Sequence, residues 1–415
     1  MKRRANNLSQ VKARCRKARQ TANLDLSQCS LDQPAVMEIV QCLQDDNIEH
    51  LNLSQCRWSC LDDNMIVECT NLLQDCLHQM ASRLRMVDLS HSWLGNQTTA
   101  VVLQSLHAAV TDRDTEFALE KLRVRGMDFA DEACLQAVAA LLDGSFPRLQ
   151  TIDFASSRGL ENEQVVLLAE KISNDEEKIT LREVNFSACF HDQPAAVMIE
   201  ALCQQRHLKT LVLTRNFIGS ASRTALIQLL ETCQSLKQLK FDFVGTLLSA
   251  GNSKRFAQSL AASTVEELEV SLLISEPRSM RQVLSALPTS ESLRLLTIDG
   301  VALPMLAAVL PRFTRLRTLV LKGDFAWTPM VQEAFYHNAS LQECITTCRC
   351  QSKEKFDLDA LMERNRAITQ WHGATPTQRA VYELLWPLVL SRQPMHSALA
   401  ASCCLDLLRR GVVEA

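Results

Sequence analysis

A short pattern of alternating apolar and polar positions recurs along most of the chain. In its clearest copy, 208–213 (LKTLVL), the apolar residues Leu208, Leu211 and Leu213 have a spacing that suits a short strand with one apolar face. The following segment, 221–233, places apolar residues at helical spacing with polar residues on the opposite face. The pattern predicts a strand followed by a helix, and each unit needs neighbours of its own kind to bury its apolar faces.

Eleven copies of the strand pattern, and a weaker twelfth, follow one another along the chain. They lie at 22–26, 48–53, 84–89, 119–124, 149–154, 181–186, 208–213, 236–241, 265–270, 293–298, 316–321 and 341–345. Their central apolar residues are 23 to 36 residues apart, and polar inserts such as 111–115 and 174–178 lengthen the early intervals. A helical repeat without strands is the alternative, but segments rich in Val, Ile and Phe favour strands.

The repeated motif resembles that of leucine-rich repeat proteins, and within them the ribonuclease-inhibitor-like class, in which every repeat has a full helix. The resemblance is carried by LNLSQC at 51–56, VNFSAC at 184–189 and LVLTRN at 211–216. It implies that the Asn or Cys that closes each motif bonds backbone groups in the turn after the strand. Four residues match that closing position: Cys29, Cys56, Cys189 and Asn216. In other copies the position holds residues that do not match: Ser92, Met127, Ser157, Val244, Leu273, Val301 and Asp324.

The resemblance implies an α/β fold, a leucine-rich repeat solenoid (horseshoe) with parallel strands on the concave face and helices on the convex face. We predict three regions: a basic N-terminal cap or segment at 1–21, an array of about 11–12 repeats at 22–350, and a C-terminal helical region at 351–415 that forms an all-helical cap. A nuclear-import segment and an organelle transit peptide are alternatives for the first region, which is rich in Arg and Lys and has no acidic residue.

Composition limits the classes of function. The chain has 415 residues, 47% of them hydrophobic, and a net charge of −3, which disfavours a general polyanion binder. No apolar run is long enough for a membrane span, and we expect no secretory signal. Many of the 16 cysteines lie on predicted apolar helix faces, where a free thiol behaves as a small hydrophobe. These features predict a reducing compartment, the cytoplasm, with the nucleus or an organelle as alternatives.

Motifs for catalysis or cofactor binding are missing from the sequence. It has no Gly-rich phosphate loop, nucleophile elbow, H-E-x-x-H or EF-hand pattern, so we predict no enzyme, no cofactor and no small-molecule substrate. Cys344, Cys348 and Cys350 form one metal-like cluster, but a zinc site needs four ligands. Cys403 and Cys404 are interpreted as a buried helical pair, because a nucleophilic thiol needs a base and an electropositive pocket.

Charged residues that alternate with the strand leucines are expected to face the concave side. The predicted partner-binding residues are Asp88, Arg123, Arg125, Asp153, Lys240, Asp242, Glu269 and Asp299. Their mixed signs favour a specific protein surface over a nucleic-acid stripe. The predicted function is therefore a non-catalytic scaffold that binds a protein partner on the concave face. The alternative is a substrate-recognition subunit of a ubiquitin ligase, with the C-terminal helices docking an adaptor.

Overall fold

The computed structural model describes residues 2–45, 47–59, 62–111, 118–143, 146–173, 180–243, 250–272, 277–299 and 302–347, and also 358, 361–363 and 365–366. Most of the predicted C-terminal helical region lies outside these residues, as do Cys348, Cys350, Cys403 and Cys404 and most of the polar inserts. The chain divides into two compact units, Met1–Leu236 and Lys237–Ala415.

Parallel strands form one layer of the unit Met1–Leu236. Those of its main sheet are β1 (Asn23–Asp25), β3 (His50–Asn52), β5 (Met86–Asp88), β6 (Lys121–Arg123), β7 (Thr151–Asp153), β8 (Glu183–Asn185) and β9 (Thr210–Leu213), each paired with the next. Two further strands, β2 (Ser30–Leu31) and β4 (Arg57–Trp58), pair in a small parallel ladder beyond the ends of β1 and β3. The sequence pattern did not predict this second ladder, because each of its strands has only two residues.

Helices between the strands form the other layer of this unit. They are α1 (Lys2–Thr21), α2 (Gln33–Asp45), α3 (Asp63–Met80), α4 (Asn96–Thr111), α5 (Glu132–Leu141), α6 (Asn162–Ser173), α7 (Asp192–Leu202) and α8 (Ser220–Thr232). Consecutive helices pack against each other. Within the core, the ring of Phe154 lies between Phe129 and Phe186, at centroid distances of 5.5 and 5.2 Å.

The unit Lys237–Ala415 has the same alternation of strands and helices. Its parallel strands are β10 (Gln238–Phe243), β11 (Glu267–Leu272), β12 (Leu295–Asp299), β13 (Thr318–Lys322) and β14 (Glu343–Thr346), each paired with the next. Its helices are α9 (Ala250–Ala262), α10 (Pro277–Ala286), α11 (Leu303–Ala307) and α12 (Pro329–His337), with 3₁₀ turns at Leu287–Thr289 and Leu310–Arg312. The weak twelfth copy of the pattern is therefore a strand, β14. None of the described helices is both long and apolar enough to cross a membrane.

The α/β prediction and the leucine-rich repeat solenoid are confirmed by this architecture. The central apolar residue of every predicted copy up to Leu319 is buried, from Leu24 at 0% to Val184 at 2% exposure. The strands begin about two residues later than the apolar pattern. In the repeat of β9, for example, Leu208 is buried but the strand begins at Thr210. The first leucine of each motif therefore packs in the turn that leads into the strand.

At several motifs the closing residue bonds a main-chain carbonyl at the end of a strand, as the resemblance implies. The Sγ atom of Cys56 donates to the carbonyl of Leu26, and that of Cys189 donates to the carbonyl of Phe154, both at 3.0 Å. The Nδ2 atom of Asn216 donates to two further strand-end carbonyls, at 2.8 and 2.9 Å. The expectation that Ser157 would not match was wrong, because its hydroxyl donates to the carbonyl of Val124 at 3.2 Å. A serine at this position can thus make the bond, although the buried hydroxyl of Ser92 at the equivalent position has no hydrogen-bond partner.

A left-handed backbone conformation turns the chain after every strand of the main sheet in the first unit. The residues in this conformation have φ between +52° and +68°: Gln28, Gln55, His91, Gly126, Ser156, Ala188 and Arg215. Only one of them is glycine, the residue for which this region carries no steric penalty. At most of these positions the amide is engaged: that of Gln28, for example, donates to the carbonyl of Ser54 at 2.9 Å. The main-chain ladder thus continues beyond the strands.

Both ends of the described array show specific contacts. At the first end, α1 packs on α2 and β1, and Nη1 of Arg14 donates to the carbonyls of Asp25 and Ser27 at 2.7 and 2.9 Å. At the other end, the buried Asn365 donates to the carbonyls of Asn338 and Leu341 at 3.0 and 2.6 Å. Asn338 makes the equivalent pair of bonds one repeat earlier. The region boundaries at 21 and 350 stay predictions.

Candidate functional site

Four of the eight predicted partner-binding residues meet on neighbouring strands of the first unit. Nη1 of Arg123 lies 3.7 Å from Oδ2 of Asp88. Oδ2 of Asp153 accepts a hydrogen bond from Nε of Arg125 at 2.6 Å, and Nη2 of Arg125 lies 2.5 Å from the same oxygen in an ion pair. The hydrogen bond with Asp153 raises the pKa of Arg125 above its usual value, and Asp88 also contributes. We call Asp88, Arg123, Arg125 and Asp153 the first ion cluster.

Acid and base in the first ion cluster differ strongly in exposure. The side chains of Asp88 and Asp153 are 9% and 7% exposed, whereas those of Arg123 and Arg125 are 39% and 44% exposed. The two acids are therefore largely shielded from solvent, whereas the two guanidinium groups remain accessible. A guanidinium has five N–H donors, so a paired Arg retains donors for a further acceptor.

The buried acids have a structural role as well. Oδ1 of Asp88 accepts from the amide of Ser90 at 2.9 Å, and Oδ1 of Asp153 accepts from the amide of Ala155 at 3.1 Å. This side-chain turn recurs at the same position of other repeats, with acceptors from Asp25, Asn52 and Asn185. An Asp or Asn at this position therefore stabilises the turn after the strand. Sequence reasoning missed this role, although the repeated Asp or Asn two residues before a small residue was visible.

The second unit repeats the arrangement on its own strands. Oε2 of Glu269 lies 3.6 Å from Nζ of Lys240, and Oε1 of Glu269 accepts a hydrogen bond from Nζ of Lys322. The Glu269 side chain is 16% exposed, and the two lysines are 39% and 40% exposed. We call Lys240, Glu269 and Lys322 the second ion cluster. Lys322 was not among the eight predicted residues, although it alternates with the buried Leu319 and Leu321.

The last two predicted residues are less prominent. Asp242 is buried, and Asp299 is half-buried and lies opposite Lys322 in the register of β12 and β13. The eight predicted residues therefore fall into two sets, one in each unit. In the second set Asp242 and Glu269 are more buried than Lys240.

Burial disfavours the reactive form of several described cysteines. Burial raises the pKa of Cys56, Cys134 and Cys189 to about 12, and that of Cys76 and Cys203 to about 11. A thiolate, which is the nucleophilic form, is thus disfavoured at these positions. Among the described residues no group of three or more His, Cys, Asp or Glu side chains is placed to hold a metal ion.

Comparison with known proteins adds little to this description. No protein-family model matches the chain, and no curated protein matches it. Among solved structures, an internalin (InlF) from Listeria monocytogenes is similar, with a TM-score of 0.35 and 12% sequence identity, covering 80% of this chain and 81% of that chain. The fold assignment rests on the strand pairing and the repeat contacts described above, which define a leucine-rich repeat solenoid.

Proposed function

We propose that this chain is a non-catalytic scaffold that binds a protein partner on its strand face, which in each unit is the side of the strands that carries the ion cluster of that unit. The observation that supports the proposal best is the layering of charge: nearly buried acids hold cations that project from the face. A partner that contacts the ion clusters would therefore meet positive charge, although the net charge of the chain is −3 and the strand residues Asp25, Glu183 and Glu343 are exposed acids. An acidic protein surface is the complementary partner.

Preorganisation of the cations favours binding. Ordering a long side chain at an interface costs about 0.5–1.5 kcal/mol, and a side chain already held by an ion pair loses less freedom when a partner arrives. The strand that carries Arg123 is held in parallel ladders on both sides, and the strand that carries Lys240 pairs with β11 along its whole length, so the backbone beneath these cations is restrained.

Two further assignments belong to the same proposal. A full helix of 10 to 18 residues precedes or follows most strands of the first unit, which supports the ribonuclease-inhibitor-like class of repeat. The described cysteines are free thiols, several of which donate to main-chain carbonyls, and this supports a reducing compartment such as the cytoplasm.

A neutralised variant of the first ion cluster tests the proposal. Asp88→Asn and Asp153→Asn keep the side-chain turn, because Asn52 and Asn185 make that turn naturally. Combined with Arg123→Gln and Arg125→Gln, they remove both ion pairs without leaving a buried charge alone. The matched control is Asp143→Asn with Lys171→Gln, which removes an exposed ion pair between the α5–β7 loop and α6.

The experiment is an affinity capture from extract of the source organism with wild-type, neutralised and control chains. We expect at least one protein to be retained by wild type and control and lost, by about tenfold or more, from the neutralised chain. Salt should elute the same protein. If all three chains retain the same proteins in equal amounts, the strand face of the first unit is not the binding surface.

A further inference from the structure

The turns after the strands of the first unit carry a second surface, outside the two ion clusters. In consecutive repeats, the residue that follows the closing position of the motif is Arg57, Trp93, Asp128 and Arg158, which we call the turn row. Arg57 and Trp93 form a parallel bridge, as do Asp128 and Arg158. The amide of Trp93 donates to the carbonyl of Cys56 at 2.7 Å. The turn row thus lies along one edge of the unit, with its members in repeat order.

Trp93 is the most exposed large apolar side chain in the part of the chain that the structure describes, at 76% exposure. Its backbone is nevertheless held on both sides. Besides the bond to Cys56, the carbonyl of the next residue, Leu94, accepts from Nε1 of Trp58 at 2.9 Å. An exposed indole on a fixed backbone needs little ordering when it binds. Tryptophan is also one of the side chains that contribute most to binding energy at protein interfaces.

Unpaired positive charge flanks this indole. Arg57 and Arg158 are both exposed, and neither makes an ion pair with another described residue. Asp128, which lies between Trp93 and Arg158 in the row, uses Oδ1 to accept from the amide of Ala130 at 3.1 Å. Strands of a parallel sheet lie about 4.8 Å apart, so the two guanidinium groups are within reach of one short peptide segment.

We propose that the turn row is a docking site for an acidic segment of a partner protein. An apolar side chain of that segment packs on the indole of Trp93, and its carboxylates bind Arg57 and Arg158. The inference rests on the proposed function in that the partner is a protein, and it adds a contact outside the strand face. A nucleic acid fits less well, because its evenly spaced phosphates would have to pass Asp128, whereas a peptide can place an uncharged residue there.

A peptide library displayed on phage, selected against the full-length chain, tests this inference. We expect the enriched peptides to carry two or more carboxylates beside an aliphatic or aromatic residue. The affinity of one such synthetic peptide is then measured by fluorescence anisotropy. Trp93→Ala should weaken binding by at least about tenfold, and Arg57→Gln by about threefold or more. Trp93→Phe should retain most of the affinity, and Met37→Ala, which removes another exposed apolar side chain on α2, should change nothing.

Other outcomes would overturn the inference. The first is that the selection enriches no acidic peptide. The second is that the enriched peptides bind the Trp93→Ala variant with an affinity within about twofold of wild type. The third is that a single-stranded oligothymidylate competes with the peptide for Trp93. The neutralised variant of the first ion cluster separates the two proposals. If peptide binding is lost in that variant but kept in Trp93→Ala, the strand face is the binding surface and the turn row is not.

Discussion

Asp192 provides a sharp test of how one repeat stabilises the next. It is the first residue of α7, yet its carboxylate bonds the start of α8, one repeat later. Oδ1 accepts from the amide of Ser222 at 2.9 Å and also from its hydroxyl, and Oδ2 accepts from the amide of Ala221 at 3.2 Å. The N-cap residue of α8 is Gly219, which has no side chain to make these bonds. A Cβ on Gly219 would lie 2.4 Å from the Asp192 carboxyl carbon, so the glycine makes room for the cap.

Replacing Asp192 by alanine should cost about 2–3 kcal/mol. Loss of an N-cap costs about 1–2 kcal/mol. The hydroxyl of Ser222, which is fully buried, would also lose its acceptor, a loss of about 1–3 kcal/mol. The two terms do not add completely, because a serine hydroxyl inside a helix can turn to a carbonyl of the preceding turn.

Hydrogen exchange measured by mass spectrometry is the suitable assay, because long repeat arrays depart from two-state unfolding. We expect the amides of α8 to exchange about 30- to 150-fold faster in Asp192→Ala, given one tenfold change per 1.36 kcal/mol. Glu163→Ala is the matched control, since Glu163 lies in the first turn of α6 but caps nothing. Equal effects of both variants, or unchanged exchange in α8, would refute the cap.

The contribution of Asp192 should also depend on pH. Burial raises the pKa of Asp192, but the hydrogen bonds from Ser222, Ala221 and Gly219 outweigh it and lower the pKa below the usual 3.8. A carboxyl whose pKa is lowered by folding stabilises the protein above its unfolded pKa, and this stability is lost as pH falls through the folded pKa. The difference between wild type and Asp192→Ala should therefore be constant from about pH 5 to 8 and shrink below about pH 4. A constant difference at pH 3 would contradict this explanation.

Three further predictions concern the core and the turns. Ala188→Gly should raise the free energy of unfolding by about 0.5–1 kcal/mol, because Ala188 has φ of +57°, a conformation that glycine adopts without strain. Ala196→Gly inside α7 should instead lower the free energy of unfolding by about 1 kcal/mol. Thermal unfolding measures both changes, and changes of the same sign would contradict the argument. Phe154→Ala should lower the free energy of unfolding, measured in urea, by about 3–5 kcal/mol. The control Val166→Ala, on the exposed face of α6, should lower it by less than about 0.5 kcal/mol. Similar losses in the two variants would mean that the ring stack is not part of the core. Burial raises the pKa of the Cys56 thiol to about 12, so this thiol should react with iodoacetamide at pH 8 only after the chain unfolds. Rapid labelling of Cys56 in the native chain would disprove its burial.

The strands were predictable because their signal is repeated. A single L-x-x-L-x-L motif is weak, but twelve in order predict where each strand lies, and β14 follows from the same pattern although its copy is the poorest. The turns were less predictable. A left-handed turn usually shows as glycine, and here Gln28 and Ala188 are among the residues that adopt it. Tertiary pairing in the ladder imposes that conformation, so the local sequence does not reveal it.

The partners of charged residues could not be read from the sequence because they belong to different repeats. Arg125 and its partner Asp153 are 28 residues apart, whereas the bond from Cys134 to Asn96 spans 38 residues. The length of each insert shifts these separations, so neighbours on the sheet are known only once the register is known. The same limit hid the cap that Asp192 provides for α8.

Mixed charges on a row of strand positions also reflect pairing between neighbouring repeats. A parallel ladder brings equivalent positions of neighbouring repeats to about 4.8 Å, so an acid in one repeat meets a base in the next before any partner does. The alternation of sign along the row then describes complementarity within the chain. Burial decides which charged groups a partner can contact. In both ion clusters the acids are more buried than the bases, so the bases are the accessible groups. A negatively charged chain can in this way present cations at particular places on its strands.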